Sequence, residues 1–173
     1  MSSWLRTTGN VKHATKLPAG ISSDRAIDVL HNHNFFISCD PHLVKFESIA
    51  RPPAADDALP DRCRDDADGE PMFYAVTDRV QKLPAGLWDA DVTSTYELVN
   101  LKRGLFVKLR SQMGVVMETV WDVREDGAGG AAITETVLIK ASRLLIGIVK
   151  SMCENDWRVV HGKLLDIMGE EKA

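Results

Sequence analysis

At 173 residues the chain has room for one domain with a substantial core and too little for two ordinary ones, so a single domain over residues 1–173 is expected. Its 21 basic residues against 25 acidic ones leave a net charge of −4 and no basic face, which argues against nucleic acid as a partner. Three widely spaced cysteines, Cys39, Cys63 and Cys153, form no C-x-x-C pair and suggest neither a disulfide framework nor zinc. No run approaches the ~18 apolar residues of a membrane span and no signal-like stretch opens the chain, so a cytoplasmic protein without a membrane span is expected.

Residues 4–16 read as an opening strand with a kink or bulge at Gly9-Asn10. Lys16-Leu17-Pro18-Ala19-Gly20 breaks it, and the same five residues return at Lys82-Leu83-Pro84-Ala85-Gly86; both are turns, because Pro-Ala-Gly is ordinary turn chemistry and the flanks do not match. Ser22-Ser23-Asp24 offers N-caps for a short helix ending near Leu30, with Ile27 and Leu30 as its buried pair. His31-Asn32-His33-Asn34 ends that helix. Phe35-Phe36-Ile37 starts a second short one, stopped at Asp40-Pro41, and residues 43–49 read as a strand.

Residues 51–71 carry four prolines and seven acidic residues with almost nothing apolar, the composition of a mobile surface loop. Asp65-Asp66-Ala67-Asp68-Gly69 resembles part of a calcium loop but lacks the later glutamate. Strands then follow in series at 73–80, 91–101, 105–110, 115–124 and 131–139, with short connections that imply an antiparallel meander. Helical character takes over near Ser142. From Leu145 the apolar positions Ile148, Val149, Met152, Val160, Leu164 and Ile167 recur at threes and fours, which puts them on one stripe of a helix about seven turns long.

This order of strand, helix pair, antiparallel strands and long terminal helix resembles the START-like superfamily, also called SRPBCC. The resemblance extends to an uncharacterised fungal branch through Leu30-His31-Asn32-His33, Asp40-Pro41, Tyr74 with Thr77-Asp78, Gly86-Leu87-Trp88 and Trp121-Asp122-Val123. The chain departs from the branch pattern at Asn32, where an acidic residue is usual, and at Asp40, where Asn is usual. The resemblance implies an α+β helix-grip fold, a curved antiparallel sheet of about seven strands wrapped on the long helix. It also implies an apolar cavity between them for a lipid, steroid, polyketide or similar small molecule. Carriers, receptors and cofactor-free cyclases share that fold, so fold does not choose function.

Strong catalytic motifs are absent from the sequence. Gly127-Ala128-Gly129-Gly130-Ala131-Ala132 satisfies G-x-G-x-x-A, yet a strand follows it, so it reads as a hairpin turn. His31 and His33 alternate as in some metal sites but have no third ligand nearby; a helix end is the plainer reading, with His33 a candidate proton carrier or ligand contact at the cavity mouth. Asp156 falls near the centre of the apolar stripe of the last helix, and Lys163 lies on it two turns on. Either the helix there passes the edge of the sheet into water, or Asp156 points into a polar part of the cavity as an acceptor or general base.

Arg110, Glu118 and Glu135 interrupt apolar alternation, and each could face outward. With Trp121 inside, strand period two puts Met117 and Thr119 inside and Glu118 out; Tyr96 enters with Val92, Ser94 and Leu98. Tyr96 and Asp156 are thus the catalytic candidates, and Ser94, Met117, Trp121, Met152 and His33 the ligand-binding ones, although an aromatic or methionine stripe can equally be filled core. The expected activity is a cofactor-independent cyclase or isomerase, a Diels-Alder pericyclase among the possibilities, acting on a polyketide- or terpenoid-like intermediate of fungal secondary metabolism. It would work by folding the substrate and polarising a carbonyl, with no metal and no cofactor. The alternative is a carrier or sensor with the same cavity and no turnover.

Overall fold

The computed structural model describes residues 6–56, 59–81 and 90–170; the second Leu-Pro-Ala-Gly turn, the Gly86-Leu87-Trp88 landmark and Trp4 lie outside them. Seven strands form one antiparallel sheet: β1 (Arg6–Lys16), β2 (Leu43–Ile49), β3 (Met72–Val80), β4 (Ala90–Leu101), β5 (Gly104–Ser111), β6 (Val116–Glu125) and β7 (Ala131–Ser142). Their spatial order is β1-β7-β6-β5-β4-β3-β2. β1 and β2 therefore hold opposite edges, and the helix pair α1 (Ser23–His31) and α2 (His33–Ser38) carries the chain between them. A short α3 (Asp61–Arg64) precedes β3, and α4 (Ile146–Gly169) closes the fold across the inner face of the sheet. This is the helix-grip α+β arrangement.

Local chemistry explains where the helices stop and start. Ser22 accepts from the Arg25 N–H at 3.1 Å as the N-cap of α1, and Asn32 does the same for α2 by accepting from the Phe35 N–H. Burial on α1 falls on Ala26, Val29 and Leu30, with Ile27 only half-buried. The terminal carbonyls of α4 would be orphans, and Arg25 satisfies them: its guanidinium donates to Ile167 O at 2.9 Å, Met168 O at 3.2 Å and Glu170 O at 3.1 Å.

Strand parity sorts the side chains. Leu109 pairs with both Tyr96 and Met117, and Met117 with Ile139, so these four form one inward row across β4 to β7. A second inward row runs Leu105, Trp121, Glu135 and His13. The main core lies beneath α1, α2 and the C-terminal half of α4, around Leu30, Leu98, Leu105, Trp121, Ile133 and Leu164.

Several expectations are corrected. No bulge occurs at Gly9-Asn10, where pairing with β7 runs unbroken; the glycine instead lets α4 approach, since a Cβ there would stand 3.4 Å from Ile146 Cδ1. β7 continues to Ser142 and the helix begins only at Ile146. Glu135 faces inward, not harmlessly out. Residues 51–71 are not wholly a surface loop: α3 buries Cys63, which packs with Leu59 and Ala67 on Val99, Leu101 and Phe106 of the outer sheet face. Glu118 does face outward, where it joins Lys108 and Lys140 at 3.6 Å.

Candidate functional site

Between the N-terminal half of α4 and the inner face of the sheet lies a cavity of about 240 Å³, walled mainly by apolar side chains such as Val92, Leu109, Met117, Ile148 and Met152. A second hollow of about 130 Å³ adjoins it toward α2 and Trp121. The two share Asp40, Tyr96, Leu109, Met117, Glu135 and Val160 as walls. Together they fall at the low end of small-molecule sites, which run from roughly 300 Å³ upward. The helix records the hollow directly. Met152, Cys153, Asp156 and Val160 stay half-buried over it, whereas His161, Leu164 and Met168 further along are buried.

Polar groups gather where α2, β3, β4 and α4 meet. The Tyr96 hydroxyl reaches Asp78 Oδ2 at 3.5 Å, a long and weak hydrogen bond. Burial, helped by Asp78 and Asp40, holds the Tyr96 phenol well above its ordinary range, so it is a neutral donor. Burial first, then the charge of Asp40, pushes the Asp78 carboxyl up to about 7. Asp40 is raised too, chiefly by burial, while its Oδ1 accepts from the His42 N–H at 2.8 Å. His42 Nε2 donates to Asp156 Oδ2 at 2.8 Å. Asp156 therefore neither sits in bulk water nor lies unpaired in the core: its side chain is 29% exposed, at the cavity wall and against an imidazole.

On the opposite wall Glu135 Oε2 accepts from His13 Nδ1 at 3.1 Å and lies 3.5 Å from His161 Nε2. His161 is 2% exposed and positioned through Nδ1, 2.7 Å from Thr15 Oγ1. Glu135 and His13 are direct cross-strand partners, which is why the pair forms. Cys153 lines the cavity with its thiol pushed up to about 12 by burial, so it is no thiolate nucleophile.

Of the residues singled out from sequence, Ser94, Tyr96, Met117, Met152 and Asp156 line the larger cavity and Trp121 the adjoining one. His33 is elsewhere. It lies in an open outer groove beside α1 and the end of α4, donating from Nε2 to Asn100 Oδ1 at 2.9 Å and accepting at Nδ1 from the Tyr74 hydroxyl at 3.1 Å. Burial lowers its pKa, consistent with a neutral structural imidazole. His31 bonds the carbonyls of Leu101 and Gly104, fastening α1 to the β4–β5 turn. The residues missed are Asp78, Asp40, His42, Glu135, His13 and His161. No group of three His, Cys, Asp or Glu among the described residues is arranged to hold a metal ion.

Residues 6–170 match the family described as domain of unknown function DUF7053. The chain belongs to that family. No curated protein matches this DUF7053 chain in sequence. Solved structures share its fold at low identity. The Zhui aromatase/cyclase from Streptomyces sp. R1128 is similar with a TM-score of 0.66 at 12% identity, covering 94% of each chain. Norcoclaurine synthase from Thalictrum flavum, in complex with dopamine and hydroxybenzaldehyde, gives 0.60 at 13% identity over 98% of this chain and 91% of the other. Human STARD10 gives 0.58 at 14%, over 96% of this chain and 65% of its own. These likenesses show the helix-grip fold. No helix among the described residues is long and apolar enough to cross a membrane.

Proposed function

We propose that this DUF7053 chain is a cofactor-independent cyclase or isomerase, enclosing one small, largely apolar polyketide- or terpenoid-like molecule of secondary metabolism. The observation that carries the reading is Tyr96: a neutral phenol on the wall of an apolar cavity, whose hydroxyl among the described residues makes only a 3.5 Å contact to Asp78. Such a donor is free to turn to a substrate carbonyl, where it stabilises the negative charge that develops as an enolate or a new ring forms. Asp156, oriented by His42, supplies a carboxylate for the proton that leaves the adjacent carbon. Ser94, Met117, Met152 and Trp121 shape the enclosed molecule, and holding it in a reactive conformer supplies the rest of the acceleration. The fold's use by an aromatase/cyclase and by norcoclaurine synthase supports this choice of reaction class.

Native mass spectrometry of the purified protein identifies the enclosed compound, and turnover is then measured with it. Tyr96→Phe and Asp156→Asn should each lower the rate by about a hundredfold while binding stays within a few-fold. Binding by the wild-type protein without any conversion would replace the enzyme with a carrier.

A further inference from the structure

We propose that the molecule taken into this cavity carries a protonated amine, seated against Asp78. The inference deepens the reading above and rests on it for the cavity being a binding site. Among the described residues the walls of the two hollows contain four carboxyl groups, Asp40, Asp78, Glu135 and Asp156, and neither lysine nor arginine. An apolar cavity with four carboxyl groups on its walls, and the His42 imidazole as the one basic side chain there among the described residues, repels an anionic ligand and attracts a cation.

Three of the four carboxyls already have close donors. Asp156 takes the His42 imidazole, Glu135 takes His13, and Asp40 takes the His42 backbone N–H. Asp78 differs. Its Oδ2 meets Tyr96 only at 3.5 Å, and its Oδ1 is buried with no hydrogen-bond partner among the described residues. A buried oxygen without a donor is costly, and a ligand N–H aimed at it removes that cost.

Neighbouring charge selects an ammonium over a neutral donor. Asp78 is faced by Asp40 and His42 from the α2–β2 connection and by Tyr96 from β4, while Asp156 and Cys153 of α4 line the same cavity. Lys163 of α4 acts on Asp40 from outside the cavity. Asp40 disfavours charge on Asp78, and only a positive group relieves that repulsion; a neutral N–H does not. With Tyr96 beside the seat, an oxygen a few bonds from the nitrogen can be gripped at the same time.

The test uses three probes of one shape, phenylbutylamine, phenylbutanol and phenylbutyrate, titrated calorimetrically into the full chain at about pH 7, near the Asp78 value. The amine should bind at least ~10-fold more tightly than the alcohol, with the carboxylate weakest. Asp78→Asn should reduce the amine to the level of the alcohol. A measurement needing no variant stands beside it. A bound cation favours ionised Asp78, so amine binding to the wild-type protein should release protons, read as heat that changes with the buffer's ionisation enthalpy. Equal affinity for amine and alcohol, or an amine preference that survives Asp78→Asn, overturns the inference and leaves the cavity reading intact. Failure of all three probes to bind overturns both.

Discussion

His13 of β1 lies flat on Trp157 of α4, with ring centroids 4.6 Å apart and planes within 8° of parallel. The same imidazole donates to Glu135 of β7, so one side chain ties the edge strand, its neighbour and the helix together. His13→Ala removes the ring face and leaves Glu135, 16% exposed, without its closest donor. The expected loss is about 1–3 kcal/mol, read as a fall in melting temperature of roughly 3–10 °C for a chain of this size. An unchanged melting curve would mean the stack is not made.

Asp78 gives stability a pH dependence whose sign is fixed. Its carboxyl titrates near 3.8 when exposed and is pushed up to about 7 in the fold, so between those values the unfolded chain has released a proton that the folded chain keeps. Stability therefore falls as pH rises through that window and levels off above it. Asp40, raised in the same direction, adds to the slope. Urea midpoints for Asp78→Asn should show a shallower slope than wild type, with the variant relatively more stable above pH about 7. Parallel slopes for the two proteins would contradict the burial of this carboxyl.

Gly104 begins β5 beneath the β6 backbone. A Cβ at this position would stand 1.8 Å from the Trp121 carbonyl oxygen and 2.8 Å from its carbon, and neither backbone atom can move aside cheaply. Gly104→Ala should cost more than about 3 kcal/mol. It should also shift Trp121, whose indole lines the inner hollow, and so change its fluorescence. A near-neutral melting curve would show that β5 and β6 are further apart.

The segment before β3 acts as a strap. Asp56 accepts from Lys108 Nζ at 2.9 Å and also bonds Arg110, and α3 lays Cys63 over Phe106. Asp56→Ala alone should cost no more than about 1 kcal/mol, because that carboxylate is largely exposed. Replacing residues 51–66 with a short Gly-Ser linker uncovers Val99, Leu101 and Phe106 and should cost about 2–4 kcal/mol. A loop with no structural part would melt unchanged after the same deletion.

The seven strands and the terminal helix were legible because alternation and the threes-and-fours stripe are local signals that tertiary contacts did not override. Trp121 fixed the inner face of β6, since a side chain that large is rarely left in water. Glu135 carries a readable signal as well: it shares parity with the buried Ile133, Val137 and Ile139, and a carboxylate on that face belongs to the interior. Asp78 and His42 could not be found that way. Each looks like an ordinary polar residue near a strand end, and their meaning comes from Tyr96, Asp40 and Asp156 arriving from other elements. The strap leaves no mark in the sequence because Leu59 and Cys63 are too few to form a pattern and matter only against Phe106.

Half of the long helix rests on solid core and half bridges a hollow, so the melting temperature should report any compound that fills it. A compound that binds only the native chain adds about 2.7 kcal/mol at a hundred times its dissociation constant, or roughly 5–10 °C of melting temperature. Thermal-shift screening of a metabolite library should reveal any compound that fills the cavity by that rise alone, before any reaction is assayed, and the hits should share one shape.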